Sequence, residues 1–282
     1  MPTTQNPIGV FTNSTGTNDP VQAMEIVKKL GLNTIQVGEL EERWYKPAGV
    51  KEFKQLLAKY RIAPASVVII FAGERYDDFD AVLHTVGYRP KELLAQRLDF
   101  SRRVVEFAAA LGSPFVTTHM GVLPRDEKDP LHRQLVGAVR EVAAACAKHG
   151  RTLSLETGQE TGEELMGFID RLAGLPIKIN FDTANLLLYN MDDSPGALRV
   201  MLPRVTSVHV KDGCRPTKPG ALGEEQRLGE GKARVAECLR LLHDANWRGP
   251  LIIENFVWAA RKTDPFDELR RSKEFIEANW PK

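Results

Sequence analysis

The sequence predicts an α/β chain folded as a single closed (β/α)8 barrel over residues 1–282, and three observations carry that prediction. Short apolar runs alternate with longer amphipathic segments about eight times from one end to the other. The length of 282 residues, 43% of them hydrophobic, suits one barrel with one core. No linker, low-complexity tract or close internal repeat divides the chain. An open doubly wound sheet is the alternative, and the lack of a GxGxxG after the first strand counts against it.

The elements follow in order. Ile8–Phe11 is a short apolar strand that stops at Thr12-Asn13-Ser14. Asn18-Asp19-Pro20 starts a helix with a capping side chain and proline in the first turn; it runs to Leu30 and ends at Gly31. Thr34–Val37 is the second strand, Gly49–Tyr60 the second helix, and Ala65–Phe71 a continuous apolar run suited to a strand covered on both faces. Ala72–Arg89 is long for a connection and rich in Gly, Asp and Tyr, so it is expected to fold over the barrel mouth. A long helix from about Pro90 to Leu111 follows, closed by Gly112. Phe115–Thr118, Thr152–Glu156, Ile177–Asp182, Val205–Lys211 and Leu251–Glu254 are the remaining strands. Helices are expected at Pro130–His149, Glu163–Leu172, Pro195–Met201, Ala233–Ala245 and Pro265–Asn279.

The strand ends carry the chemistry. Thr206–Gly213 alternates Val208 and Val210 with polar partners, delivers His209 and Lys211 to one face, and breaks at Asp212-Gly213. Glu156, Asp182 and Glu254 close three other strands. In a parallel barrel these ends converge on one mouth, where substrate binds. Three carboxylates and one imidazole repel and desolvate one another unless a cation joins them. An oxygen-rich set with one nitrogen suits one divalent ion, Mn²⁺ first, with Mg²⁺ or Co²⁺ as alternatives, better than a closed structural zinc site.

Composition narrows the partners. A net charge of +1 offers no basic stripe for nucleic acid. The N-terminal MPTTQNPIGV has no basic region followed by an apolar run, and no stretch approaches a membrane span, so neither leader nor membrane is expected. Cys146, Cys214 and Cys238 form no CxxC pair and suggest neither a disulfide framework nor a thiolate site. A cytoplasmic protein acting on a small molecule is the expectation, with homo-oligomerisation open.

The ends LET, FDTAN, HVKD and IIEN, with Leu228-Gly229-Glu230-Gly231 after the seventh strand, resemble the sugar phosphate isomerase/epimerase superfamily with its xylose isomerase-like TIM barrel. D-tagatose 3-epimerase, hydroxypyruvate isomerase, inosose dehydratase and endonuclease IV are members. The resemblance covers nearly the whole chain and implies Glu156, Asp182, His209 and Glu254 as metal ligands. It also implies that Arg215 holds substrate. Where the ketose epimerases have a second His after the strand-six Asp, this chain has Asn185; the Asp-x-His of endonuclease IV is replaced by Gly223–Arg227, which argues against a trinuclear DNA-repair site.

The implied reaction is proton abstraction next to a carbonyl through a metal-stabilised enediolate, with Glu156 and Glu254 as the acid/base pair. Return of the proton to the opposite face makes an epimerase, and return to the adjacent carbon an isomerase. Expulsion of a β-oxygen group makes a lyase or dehydratase acting on a keto-sugar, an inosose or a 3-keto-glycoside. His119, Asn185, Lys211 and Arg215 are the candidate substrate contacts. Each residue also has a plainer reading: end-of-strand acids paired with Lys or Arg, an Asx turn at Asp182, a core histidine at His209, a structural pair of Lys211 with Asp212 or Glu254, solvated charge at Arg215. A non-catalytic sugar-binding barrel is the reading from another class.

Overall fold

In the computed structural model, which describes residues 6–281, eight parallel strands close into a barrel. The first five residues, read above as carrying no leader, and Lys282 belong to the expected 1–282 domain but lie outside the described residues. In chain order the elements are β1 (Ile8–Phe11), α1 (Pro20–Lys29), β2 (Thr34–Val37), α2 (Pro47–Tyr60), β3 (Ala63–Ile69), α3 (Phe79–Thr85), α4 (Leu94–Leu111), β4 (Phe115–Thr118) and α5 (Pro130–Lys148). Then come β5 (Thr152–Glu156), α6 (Gly162–Asp170), β6 (Ile177–Asp182), α7 (Asn185–Leu188), α8 (Ser194–Met201) and β7 (Val205–Val210). A two-stranded ribbon, β8 (Asp212–Cys214) with β9 (Glu224–Gln226), precedes α9 (Val235–Asp244), β10 (Leu251–Ile253), α10 (Val257–Arg261) and α11 (Pro265–Asn279).

The barrel runs β1-β10-β7-β6-β5-β4-β3-β2 and closes where β2 pairs with β1, which removes the open-sheet alternative. Closure satisfies every strand edge that an open sheet would leave to solvent. Helix starts obey the capping chemistry legible in the sequence: Asp19, Asp129, Asp193 and Asp264 each accept a backbone N–H at the head of a helix that has Pro in its first turn. The Thr161 hydroxyl and the Glu164 carboxylate form a reciprocal capping box on α6.

Differences from expectation have local causes. The third strand is shifted to Ala63–Ile69, because Ala63 N–H pairs with Asn33 O at 2.8 Å and the ladder to β4 ends at Ile69 opposite Thr118. Phe71 is buried for another reason: its ring packs on Tyr88 and Phe100, with the Arg97 guanidinium over its face. The helix expected from Pro90 opens as a 3-10 turn at Lys91–Leu93 and becomes α-helical at Leu94. The long loop after β3 holds the short helix α3, and Phe79 N–H donates to Gly220 O at 3.0 Å, so this loop meets the one between β8 and β9. No described helix is long and apolar enough to cross a membrane.

Side chains alternate along each strand, so the residue two positions before a mouth residue faces the same interior. Asn180 and Ser207, which precede Asp182 and His209 in this way, are fully buried and hydrogen-bonded to each other. A polar layer therefore lies beneath the mouth, with the apolar core between the strands and the outer helices.

Candidate active site

Four adjoining strands, β5, β6, β7 and β10, bring Glu156, Asp182, His209 and Glu254 to the mouth: the first two close their strands, His209 is the last but one residue of β7, and Glu254 directly follows β10. All four residues are buried, and one ligating atom from each lies within 4.8 Å of the others. Imidazole Nδ1 of His209 stands 3.0 Å from Glu156 Oε1, 2.6 Å from Glu254 Oε2 and 3.7 Å from Asp182 Oδ2. Because β5 and β10 flank the β6–β7 pair, Glu156 and Glu254 approach the cluster from two sides.

Asp182 divides its labour. Its Oδ1 accepts from Ala184 N at 2.7 Å and Asn185 N at 2.8 Å, the Asx turn foreseen for Asp-Thr-Ala-Asn. Its Oδ2, like Glu254 Oε2, is buried without a well-formed hydrogen bond among the described residues. Three buried carboxylates that share one imidazole and one ammonium are under-compensated in a protein interior, and their convergence on one point fits a divalent cation. The donor set present therefore suits the ion that the sequence implies.

Electrostatics agree with that geometry. Burial pushes the Glu156 carboxyl up, but the His209 and His119 imidazoles beside it outweigh burial and hold it below the usual range. Glu254 is likewise desolvated, yet Lys211 and His209 draw it down to about 2. Burial lowers His209 and Lys211, and the surrounding carboxylates more than reverse this, so both are held well above their ordinary values. Glu156 and Glu254 are thus ionised at neutral pH, the state in which a carboxylate binds metal or takes a proton.

A cavity of about 430 Å³ opens over the cluster. His119 lines it, with Nε2 3.5 Å from Glu156 Oε1 and a buried Nδ1 that has no partner among the described residues. Asn185 also lines it; its amide nitrogen donates to Glu156 Oε1 at 3.3 Å and Thr157 O at 3.2 Å, and its oxygen accepts from Lys211 Nζ at 3.1 Å. Lys211 Nζ lies 3.2 Å from both Asp182 Oδ2 and Glu254 Oε1, so its partners are cluster acids rather than Asp212.

Arg215 is not brought to the cavity. It is exposed, and its guanidinium donates to Asn190 Oδ1 and Asp192 O, each at 2.7 Å. The β8–β9 ribbon is the reason: pairing Cys214 with Glu224 turns Arg215 outward and brings Leu222, Gly223 and Glu225 to the wall instead.

Several cavity residues were not singled out in the sequence. Glu225 is one; burial raises its carboxyl to about 7 against the pull of Lys211, and it accepts from Phe256 N at 2.6 Å. Glu74 and Tyr76 come from the long loop after β3, and Phe11, Leu188, Tyr189 and Phe256 give the cavity an apolar side. Gln36 on β2 is fully buried and hydrogen-bonded to His209 Nε2. The Gly- and Tyr-rich loop had a signal, its length; Phe11, Leu188, Tyr189, Phe256 and Gln36 acquire their place from elements far away in sequence.

Closed parallel barrel, mouth cluster and loop-built cavity together define a class: barrels that gather carboxylates and one imidazole at the C-terminal ends of their strands. The chain belongs to the xylose isomerase-like TIM barrel family, which matches residues 24–278. It is 29% identical to a xylose isomerase domain protein from Planctomyces limnophilus, over 97% of this chain and 96% of that one, with a TM-score of 0.87. The 3-keto-D-glucoside 4-epimerase of E. coli is 14% identical over 97% and 99% of the two chains, TM-score 0.72. A xylose isomerase-like TIM barrel protein from Mycobacterium smegmatis, solved in complex with magnesium, is 18% identical over 98% of each chain, TM-score 0.72. These last two likenesses show the fold. No curated protein matches the chain in sequence.

Proposed function

We propose that this protein is a divalent-metal-dependent isomerase or epimerase of a sugar or keto-sugar, working by proton abstraction next to a carbonyl. The observation that carries the reading is the cluster of Glu156, Asp182, His209 and Glu254 beneath a cavity with room for a sugar. With His209 neutral, as ligation requires, three carboxylates and the Lys211 ammonium carry a net charge of −2, which one divalent ion cancels. Mn²⁺ is the first choice, with Mg²⁺ and Co²⁺ as alternatives. When bound, the cation would polarise the substrate carbonyl and offset the negative charge of the enediolate. The M. smegmatis neighbour binds magnesium, and the E. coli neighbour is a sugar epimerase; both support the reading.

Within this site Glu156 and Glu254, approaching from two sides, take the proton and return it. His119, whose Nδ1 is unpartnered among the described residues, presents a donor to a substrate oxygen, and Asn185 and Lys211 would contact substrate by exchanging one of their present partners. Arg215 is proposed for substrate only if the ribbon loop that carries it turns inward, because its present partners hold it outside. One observation favours a second reading. Glu225, near neutral pKa on the cavity wall, can give a proton to a departing oxygen, as a lyase or dehydratase on a keto-glycoside requires.

The test is hydrogen exchange in D₂O with the Mg²⁺-loaded protein, a diamagnetic form suited to NMR, and a panel of ketoses, inososes and 3-keto-glycosides. Deuterium is expected beside the carbonyl, reduced about 100-fold or more in Glu156→Gln and in Glu254→Gln. The product separates epimerase, isomerase and lyase. Exchange that survives both substitutions removes the acid/base assignment. A protein that binds ketose without exchanging any proton is a sugar-binding barrel, and one that binds no cation contradicts the reading at its root.

A further inference from the structure

We infer that Gln36 is the positioning residue of the cation cluster: anchored by Ser66, its side-chain amide keeps the His209 proton on Nε2 and leaves Nδ1 bare toward the carboxylates. The inference rests on the reading of the cluster as a cation site. Gln36 sits on β2 and His209 on β7, with β1 and β10 between them in the barrel wall, so the amide reaches across the interior. Both side chains are buried, Gln36 completely and His209 to within 1%.

Three contacts immobilise the pair. The Gln36 Nε2 amide donates to Ser66 Oγ at 2.7 Å, and the Gln36 Oε1 oxygen meets His209 Nε2. A register shift between Ile35 and Gln36 is what seats Gln36 directly opposite Ser66 on β3. The Phe11 ring stacks on the imidazole, centroids 5.9 Å apart and planes inclined by 27°. Ring rotation is thereby blocked, and each ring nitrogen faces one kind of neighbour.

The chemical consequence follows from the tautomers. A neutral imidazole has one N–H and one lone pair, and ligation needs the lone pair. An acceptor at Nε2 keeps a proton there, so when a cation displaces the other proton the lone pair is left at Nδ1, among Glu156, Asp182 and Glu254. An amide turned over would put its nitrogen against Nε2 and force the proton onto Nδ1, where it would oppose a cation. Loss of such an outer partner costs metal sites about 10–100-fold in affinity.

The experiment uses ¹⁵N-histidine labelling of the Mg²⁺-loaded protein, with Mg²⁺ and Mn²⁺ affinities measured by calorimetry. Wild type should show His209 as the Nε2–H tautomer, with a slowly exchanging proton. Gln36→Met, similar in volume but without an acceptor, should lose that signature and bind the ions about 10–100-fold more weakly. Gln36→Glu, which keeps the acceptor, should retain the tautomer and bind within a few-fold of wild type; a merely structural role would not be rescued in this way. An Nδ1–H tautomer in wild type, or Gln36→Met with unchanged tautomer and affinity, overturns the inference. If wild type takes up neither ion, the functional reading fails separately. The metal-free protein then still decides about Gln36 through the exchange rate of the His209 Nε2–H proton: equal protection in wild type and Gln36→Met refutes its role, and faster exchange in Gln36→Met upholds it.

Discussion

At the residue scale, the chain keeps several acids in states that differ from free carboxylates, and each has a distinct physical source. Glu160 is the simplest case outside the cluster. It is buried, and burial raises its carboxyl from 4.5 to about 7, opposed by a backbone hydrogen bond from Leu123 N at 3.3 Å. The folded state then holds a proton that the unfolded chain has released, so stability falls as pH rises from about 4.5 to about 7 and levels above that. Glu160→Gln keeps an acceptor for Leu123 and removes the titration. It should flatten this slope and add about 1–2 kcal/mol at pH 8 in urea denaturation. A variant no more stable than wild type at pH 8 would show that the carboxyl ionises freely in place.

The residue scale is also where sequence reading reached furthest and stopped abruptly. Glu156, Asp182, His209 and Glu254 were visible because each ends an apolar strand, and parallel topology alone brings such ends together. Gln36 was not visible: it lies mid-strand in TIQV, and its partners Ser66 and His209 are 30 and 173 residues away. Arg215 shows the converse. Matching by position assigned it to substrate, but a two-stranded ribbon turned it outward.

At the element scale, the LGEG segment owes its shape to one buried carboxylate. Asp212 Oδ1 accepts from Gly213 N at 2.8 Å and Ala233 N at 3.0 Å, while Oδ2 accepts from Gly229 N at 2.9 Å and Gly231 N at 3.2 Å. A Cβ on Gly231 would stand 2.1 Å from Asp212 Oδ1, which is why glycine occupies that place. The DG dipeptide read as a turn signal is therefore also the anchor of the loop between β9 and α9. Asp212→Ala should cost about 2–4 kcal/mol, because four backbone donors lose their acceptor together. It should also speed tryptic cleavage at Arg227 and Lys232. Unchanged cleavage and stability would mean that water or the chain itself replaces the carboxylate.

On the scale of the whole molecule, a cluster drawn from four strands makes cation binding and folding one equilibrium. An ion that binds only the folded barrel stabilises it by about 2.7 kcal/mol at one hundred times its dissociation constant. For a chain of this size that is a rise of roughly 5 °C or more in Tm. Scanning calorimetry should show this rise with Mn²⁺ or Mg²⁺, its reversal by EDTA, and its absence in His209→Ala. An equal rise in His209→Ala would place the ion elsewhere.

What the sequence determined by itself is the alternation that makes a barrel, the caps that start its helices, and the four strand ends that meet at its mouth. Those features are local or follow from topology: an apolar period, an Asp before a Pro, an acid at the end of a run. Tertiary structure alone decided the rest. Strand order put Gln36 within reach of His209, the ribbon exchanged Arg215 for Glu225 at the cavity wall, and the two mouth loops met at Phe79 and Gly220. A side chain's partner across a closed barrel is set by register and closure, which join residues that share no local pattern.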